Sequence, residues 1–234
     1  VLAVLTAQDY RAAGLGEMPN QPPPTANWDP AKLFKPPRIP LAEGKVRYVG
    51  DGIAYVVAET PAQARDGAEL IEVGFEPLDT VTETEKAGEP GQPLIWEDCP
   101  NNTAFTFENG DAAKTEAAFA GAALVIRQRL VISRVNANTL EPRGIVADYD
   151  TNVGFCTVYA AVQGAFGLRA QLARVIFGEA DNGFRIIVRD IGGSFGMKGA
   201  FYPEYALTVW ASKRLGRPVK WMSDRAEGFL SDNH

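Results

Sequence analysis

The stretch "RDIGGSFGMKG", Arg189–Gly199, places Gly192, Gly193, Gly196 and Gly199 around a single aromatic residue, Phe195. Residues without a Cβ let successive backbone N–H groups converge, and a helix start beyond such a turn adds positive potential, so the chemistry suited to this stretch is anion binding. The spacing is neither G-x-G-x-x-G nor G-x-x-x-x-G-K followed by Ser or Thr, which sets aside the two familiar nucleotide loops. Lys198 could meet a phosphate, although a solvated lysine is the plainer reading. On local pattern alone a structural turn and a ligand loop both stay open. Gln163 is a second candidate, because one amide can donate and accept at once; taken alone it reads as a satisfied turn residue. Glu141 and Arg143 flank Pro142 in "NTLEPRG" and read as a structural ion pair or a turn. The only histidine is His234, so a histidine-based metal site or catalytic triad cannot be built within this chain. Cys99 and Cys156 do not form a ligand cluster, and their spacing decides nothing about a disulfide.

These residues need elements to position them. "FRIIVRD" is a strand leading into the glycine loop, and "YPEYALTVWASKRLG" is the helix beyond it, with Pro203 near its start and Gly216 past its end. Gln163 ends the strand-like "TVYAAV" and precedes Gly164 and the helix "LRAQLARVIFG", which puts Leu168, Leu172, Val175 and Ile176 on one face and stops at Gly178. Glu141 and Arg143 lie between the strand candidates "ALVIRQRLVISRV" and "GIVADYD", with "RPVKWMS" a further strand. Nearer the start, "VLAVLTAQDY" reads as a strand turning into a short helix, and "GEMPNQPPPTANWDPAKLFKPPRIP" as a loop, since its prolines forbid regular structure. "KVRYVG" and "IAYVVAE" are strand candidates about a Gly50–Asp51–Gly52 turn, followed by a Thr60–Pro61–Gln63 capping-box pattern, a helix with Ala64, Ala68 and Ile71 at helical spacing, and a returning strand "IEVGFEPL". "TETEKAGEPGQP" reads as linker, and Asp111 as the cap of a short alanine-rich helix.

The 234 residues, 46% of them hydrophobic, suffice for one large domain or two small ones. A net charge of −6 without a basic block argues against a nucleic-acid partner, and no apolar run reaches membrane-spanning length. The chain opens on Val1 inside a strand and ends in "FLSDNH" without a closing pattern, as expected of a piece of a longer polypeptide.

Five stretches, in order, carry a resemblance: "VRYVGDGIAYVVAETPAQARDGAELIEVGFEPLDTV", "NTLEPRGIVADYD", "VQGAFGLRAQLARVIFG", "DIGGSFGMK" and "RLGRPVKWMSDRAEGF". Together they resemble the molybdenum-binding large subunit of the xanthine dehydrogenase and aldehyde oxidase family, and most closely its branch of bacterial aldehyde oxidoreductases and aerobic carbon monoxide dehydrogenase. The resemblance implies an α/β (α+β) fold. Residues 1–82 would be the C-terminal part of an a/b hammerhead domain, 83–100 a linker, and 101–234 the first part of a molybdopterin cofactor-binding domain. It implies a molybdenum–molybdopterin cofactor in its cytosine dinucleotide form, with [2Fe-2S] clusters and FAD on partner domains or subunits. It further implies a cytoplasmic or periplasmic enzyme that oxidises an aldehyde, an N-heterocycle or carbon monoxide with oxygen from water.

Carried over by position, Gln163, Gly164, Gly192, Gly193, Ser194, Phe195 and Gly196 would contact the cofactor. The Phe195 N–H would point toward the metal's coordination sphere and the Gln163 amide toward a metal oxygen, with no protein atom ligating the metal. Ser194 stands where a glycine is common. Gly199 stands where purine-hydroxylating relatives carry a substrate-binding glutamate, which argues against xanthine as substrate. The family's glutamate base has no counterpart here, Glu204 reading as a helix-start charge, so no catalytic residue is expected in this chain, which alone would be inactive. The alternative is a non-catalytic α/β scaffold that holds no cofactor.

Overall fold

The computed structural model describes residues 1–20, 33–133 and 135–233. Part of the expected proline-rich loop, and His234, lie outside the described residues. In chain order the elements are β1 (Ala3–Thr6), α1 (Ala7–Ala12), β2 (Ala54–Val57), α2 (Pro61–Glu69), α3 (Ala112–Gly121), β3 (Gly144–Asp150), β4 (Phe155–Ala160) and α4 (Ala165–Ala170). Then follow β5 (Phe184–Ile187), α5 (Pro203–Leu215), β6 (Val219–Met222) and α6 (Arg225–Ser231). The described chain divides into two compact units, one of residues 1–20, 37–77 and 135–233, the other of residues 33–36 and 78–133. This division by contact is a different cut from the division by sequence at 82 and 100.

In the first unit, β1 pairs antiparallel with β2. The turn from β1 into α1 is closed reciprocally: the Thr6 hydroxyl accepts the Asp9 N–H and the Asp9 carboxylate accepts the Thr6 N–H at 2.9 Å. Thr60 caps α2, its hydroxyl accepting the Gln63 N–H at 3.2 Å, with Pro61 in the first turn. The strands expected over 45–50 and 71–78 do not form. Apolar alternation supplies only a face to bury, and a strand also needs a ladder partner. Val73, Phe75 and Leu78 accordingly stay exposed.

The second sheet of this unit has the order β5-β4-β3-β6, with β3 antiparallel to β4 and β6, and β4 parallel to β5. The parallel pair demands a crossover, made by α4 and the wider π-helical turns of Gln171–Phe177 that extend it. The helix buries Leu168, Leu172, Ala173 and Ile176. Val175, expected on that face, is turned outward, because π turns rotate each side chain less than α turns do. These topological facts place four loops at one end of the sheet: those leaving β4 and β5, the one entering β3, and the one leaving β6. That end, beyond the carboxyl ends of the parallel strands, is where open α/β sheets bind ligands.

α5 is buried from Glu204 to Ser212. Tyr205, Ala206 and Val209 pack with the sheet's inner residues Ile145, Ala147, Cys156, Val158 and Phe184, whereas Leu207, Trp210 and Ala211 pack with Leu5, Tyr10, Tyr55 and Val57. Its polar side chains are paired: Thr208 with the Tyr55 hydroxyl at 2.8 Å, and Ser212, which accepts the Tyr149 N–H at 3.0 Å. Glu204 stands in the first turn of α5, as expected, but is not solvated there. It is buried against Arg143, itself 2% exposed, whose guanidinium also meets Asp232 at 2.7 Å, the Ser231 hydroxyl at 2.7 Å and the face of Tyr202 at 3.9 Å.

In the second unit, the Asn102 side chain donates to the carbonyls of Ala87 and Pro93 and accepts the Ile95 N–H, gathering the loop around itself. α3 is capped as expected, the Asp111 carboxylate accepting the Lys114 N–H at 3.0 Å. The strand expected over "ALVIRQRLVISRV" does not form among its described residues, and Leu124, Ile126, Leu130, Val131 and Ile132 are exposed.

Burial pushes the Glu204 carboxyl up to about 7, against the opposing pull of Arg143. The folded state therefore keeps a proton that the unfolded chain releases near its ordinary value of 4.5, so this group's contribution is full below that value and is lost as pH rises toward 7. Denaturant unfolding at pH 5 and pH 8 should show a Glu204-dependent loss of up to about 3 kcal/mol at the higher pH. Glu204→Gln should remove that component of the slope.

Candidate functional site

The loop beyond β5 turns through an unusual run of backbone angles. Gly193 has φ +100°, Phe195 +50° and Gly196 +93°. A left-handed φ is costly for a residue with a Cβ, and Phe195 adopts it while its ring is 75% exposed. Core packing therefore does not impose the conformation. Among the described residues, the N–H groups of Gly193, Ser194, Phe195 and Gly196 find no protein acceptor, whereas the Met197 N–H returns to the Ser194 carbonyl at 3.0 Å. The loop is thus a run of four free main-chain donors leading into the short 3₁₀ turn Met197–Gly199. Ser194 is buried, its side chain facing inward and its hydroxyl accepting the Lys198 N–H at 3.1 Å.

Two clamps hold the loop. Lys198 is buried and not solvated as the sequence suggested: its Nζ lies 2.9 Å from Glu141 Oε2. The same carboxylate oxygen accepts the Gly192 N–H at 2.8 Å, and the Glu141 N–H donates to the Gly192 carbonyl at 3.1 Å. A Cβ on Gly192 would sit 2.5 Å from Glu141 Cβ, so only glycine lets the two segments meet this closely. Burial works against the charge on Glu141, yet the Lys198 and Gly192 hydrogen bonds with the Lys198 charge hold its carboxyl below the usual range. From the other side, the Tyr202 hydroxyl donates to the Met197 carbonyl at 2.9 Å while the Tyr202 ring stacks under Arg143.

Gln163 lies beyond the end of β4, with its side chain exposed. Its N–H donates to the Lys198 carbonyl at 3.2 Å, and its Oε1 lies 2.8 Å from where a Gly199 Cβ would stand. The structure therefore brings Gln163, Gly164 (the N-cap of α4), Gly192, Gly193, Ser194, Phe195 and Gly196 to one end of the sheet. Glu141 and Arg143 form ion pairs, as expected, but with Lys198 and with Glu204 and Asp232 respectively. Sequence reasoning missed Tyr202 and the inward turn of Lys198, whose only signal was the nearness of both to the glycines. A cleft of about 200 Å³ opens beside the loop, lined by Glu141, Pro142, Tyr159, Ile187, Ile191 and Met222. Among the described residues no cluster of His, Cys, Asp and Glu could hold a metal ion, and both cysteines are buried and free.

Main-chain donors at the end of a sheet suit a bound group rich in oxygen acceptors, and comparisons with known proteins match the chain to a cofactor-binding domain. Residues 95–234 match the molybdopterin cofactor-binding domain, and residues 1–79 match the a/b hammerhead domain of aldehyde oxidase and xanthine dehydrogenase. The carbon monoxide dehydrogenase large chain of Hydrogenophaga pseudoflava is 34% identical over all of this chain and 30% of its own length. The nicotine 6-hydroxylase large subunit of Paenarthrobacter nicotinovorans is 32% identical over 83% of this chain and 23% of its own length. Among solved structures, quinoline 2-oxidoreductase from Pseudomonas putida 86 superposes with a TM-score of 0.86 at 31% identity, covering 99% of this chain and 28% of that one. The chain thus spans less than a third of the length of these relatives.

The loop geometry separates backbone from side-chain effects. Gly192→Ala forces a Cβ into Glu141 backbone and side chain and should cost about 2 kcal/mol or more. Phe195→Ala removes an exposed ring without changing which φ is accessible and should stay within about 0.5 kcal/mol of the parent. Denaturant midpoints of the two variants check the contrast.

Proposed function

The chain belongs to the aldehyde oxidase and xanthine dehydrogenase family of molybdopterin-binding oxidoreductases, and from that premise we propose that it forms one wall of a molybdenum–pterin site in the large subunit of a molybdenum hydroxylase. The observation that carries this reading is the row of four free amides from Gly193 to Gly196, held next to Gln163. Neutral, fixed N–H dipoles suit a group whose surface is oxygen and sulfur, and they need no deprotonated side chain to ligate it. The neighbouring charges are already matched to one another, Lys198 to Glu141 and Arg143 to Glu204 and Asp232, which leaves the loop's amides as donors without a protein partner among the described residues.

In this reading Gln163, Gly164, Gly192, Gly193, Ser194, Phe195 and Gly196 hold the cofactor. The loop amides donate to it, and the Gln163 amide both donates and accepts. When bound, the group supplies the two-electron chemistry that places oxygen from water on a carbon centre. This chain's residues orient it and tune its charge; the reading places the carboxylate that takes the proton on polypeptide beyond these residues. The rest of the proposal rests on the family resemblance. It comprises a hammerhead portion over 1–82, a linker over 83–100 and a cofactor domain from 101, and the cytosine dinucleotide form of the pterin. Electrons pass to [2Fe-2S] and FAD partners, the compartment is the cytoplasm, and the substrate is an aldehyde, an N-heterocycle or carbon monoxide. Among the described residues no helix is long and apolar enough to cross a membrane.

The test is made on the complete gene product. Metal analysis and pterin fluorescence after oxidation should find molybdenum and pterin in stoichiometric amount; their absence from protein that still assembles would favour a scaffold. Gln163→Ala should lower turnover ~10–100-fold, the range for groups that support a metal centre without ligating it. Phe195→Pro should be worse, because it deletes an N–H and cannot adopt a positive φ. Unchanged turnover in both variants refutes the assigned roles.

A further inference from the structure

We propose that Lys198 and Glu141 are positioning residues whose ion pair fixes the glycine loop and Gln163 in one register, an inference that rests on the cofactor reading of the site. Lys198 makes three connections with one residue's atoms. Its N–H reaches the Ser194 hydroxyl at 3.1 Å, its carbonyl accepts the Gln163 N–H at 3.2 Å, and its Nζ reaches Glu141 Oε2 at 2.9 Å. Glu141 in turn grips the start of the loop through both of its hydrogen bonds with Gly192. The free donors of Gly193–Gly196 are therefore suspended between two points, Gly192 and Lys198, that a single carboxylate ties together, and Gln163 hangs from the second point.

The ammonium group is well suited to this and poorly suited to be a ligand. The Lys198 side chain is 0% exposed and faces Glu141, whereas the Glu141 side chain is 38% exposed. An ion so placed cannot be released to solvent without opening the loop, so the pair acts as a latch on loop geometry. The exposures also predict an asymmetry. Removing the lysine charge leaves a carboxylate that water can reach, whereas removing the glutamate charge alone strands a buried cation. Lys198→Met is accordingly the informative single variant, and Glu141→Gln/Lys198→Met the variant that leaves no unpaired buried charge.

The test uses the complete gene product in both variants, with hydrogen exchange read by mass spectrometry and pterin content read by fluorescence. In peptides covering 163–168 and 192–199, the hydrogen-bonded amides of Gln163, Gly192, Met197 and Lys198 should exchange at least ~10-fold faster than in the parent, while peptides covering β3, β4 and α5 keep their protection. Pterin content should fall about 10-fold with little change in melting temperature. Unchanged exchange in the loop, or protection lost equally across the whole unit, overturns the proposal, the second result marking the pair as general scaffolding. Full pterin content in both variants overturns it as well. A parent protein without pterin defeats the cofactor reading, and the exchange pattern then still decides whether the pair sets the loop.

Discussion

Arg143 carries five N–H donors, so an interior that takes its guanidinium in must supply acceptors. Glu204 and Asp232 do so, from the start of α5 and from the residue after α6, and the guanidinium lies on the Tyr202 ring. One buried cation thereby fixes the entry of β3, the entry of α5 and the exit of α6. Buried ion pairs add little net stability over a well-packed apolar alternative, and we read this cluster as a device that specifies geometry. Its reach extends to the glycine loop, because the hydroxyl of the same Tyr202 holds the Met197 carbonyl.

What the sequence made legible was local. Thr60 with Pro61, Asp111, and Pro203 with Gly216 each mark a helix end through contacts within a few residues, and each helix forms where those signals place it. The strands of the second sheet were also readable, since each is a short apolar or alternating run that does find a ladder partner. The segments 45–50, 71–78 and 123–133 were not, because a strand is a relation between two segments and alternation describes only one of them. Long-range electrostatics were equally hidden. Lys198 and Glu141 are 57 residues apart and Arg143 and Glu204 are 61 apart, so their partnership is set by the β5-β4-β3-β6 topology and by nothing near either residue. Hence Lys198 read as solvated, and the burial of Glu204 at its helix start went unread.

The site shows the same division. Glycine spacing pointed to a backbone that comes close to something, and Gln163 to an amide at the end of a strand. Neither pattern could show that the two belong together. The parallel β4–β5 pair does that, by bringing the loops after both strands to one end of the sheet. The relatives named for carbon monoxide, nicotine and quinoline act on chemically unlike molecules. The proposed wall of peptide amides toward a shared cofactor, with substrate selection left to other surfaces, is compatible with that range.

If Phe195 serves the cofactor through its N–H, as proposed, it shows how a function carried by the main chain escapes the usual way of looking for function. Its ring points into solvent, its backbone is held in a left-handed turn, and its distinctive asset is an N–H that every residue except proline also has. Systematic truncation to alanine leaves that group untouched and would record the position as dispensable. For a surface that worked in this way, tolerance to side-chain replacement would be the expected mark of a working part, and maps of importance drawn from such scans would carry a blank there.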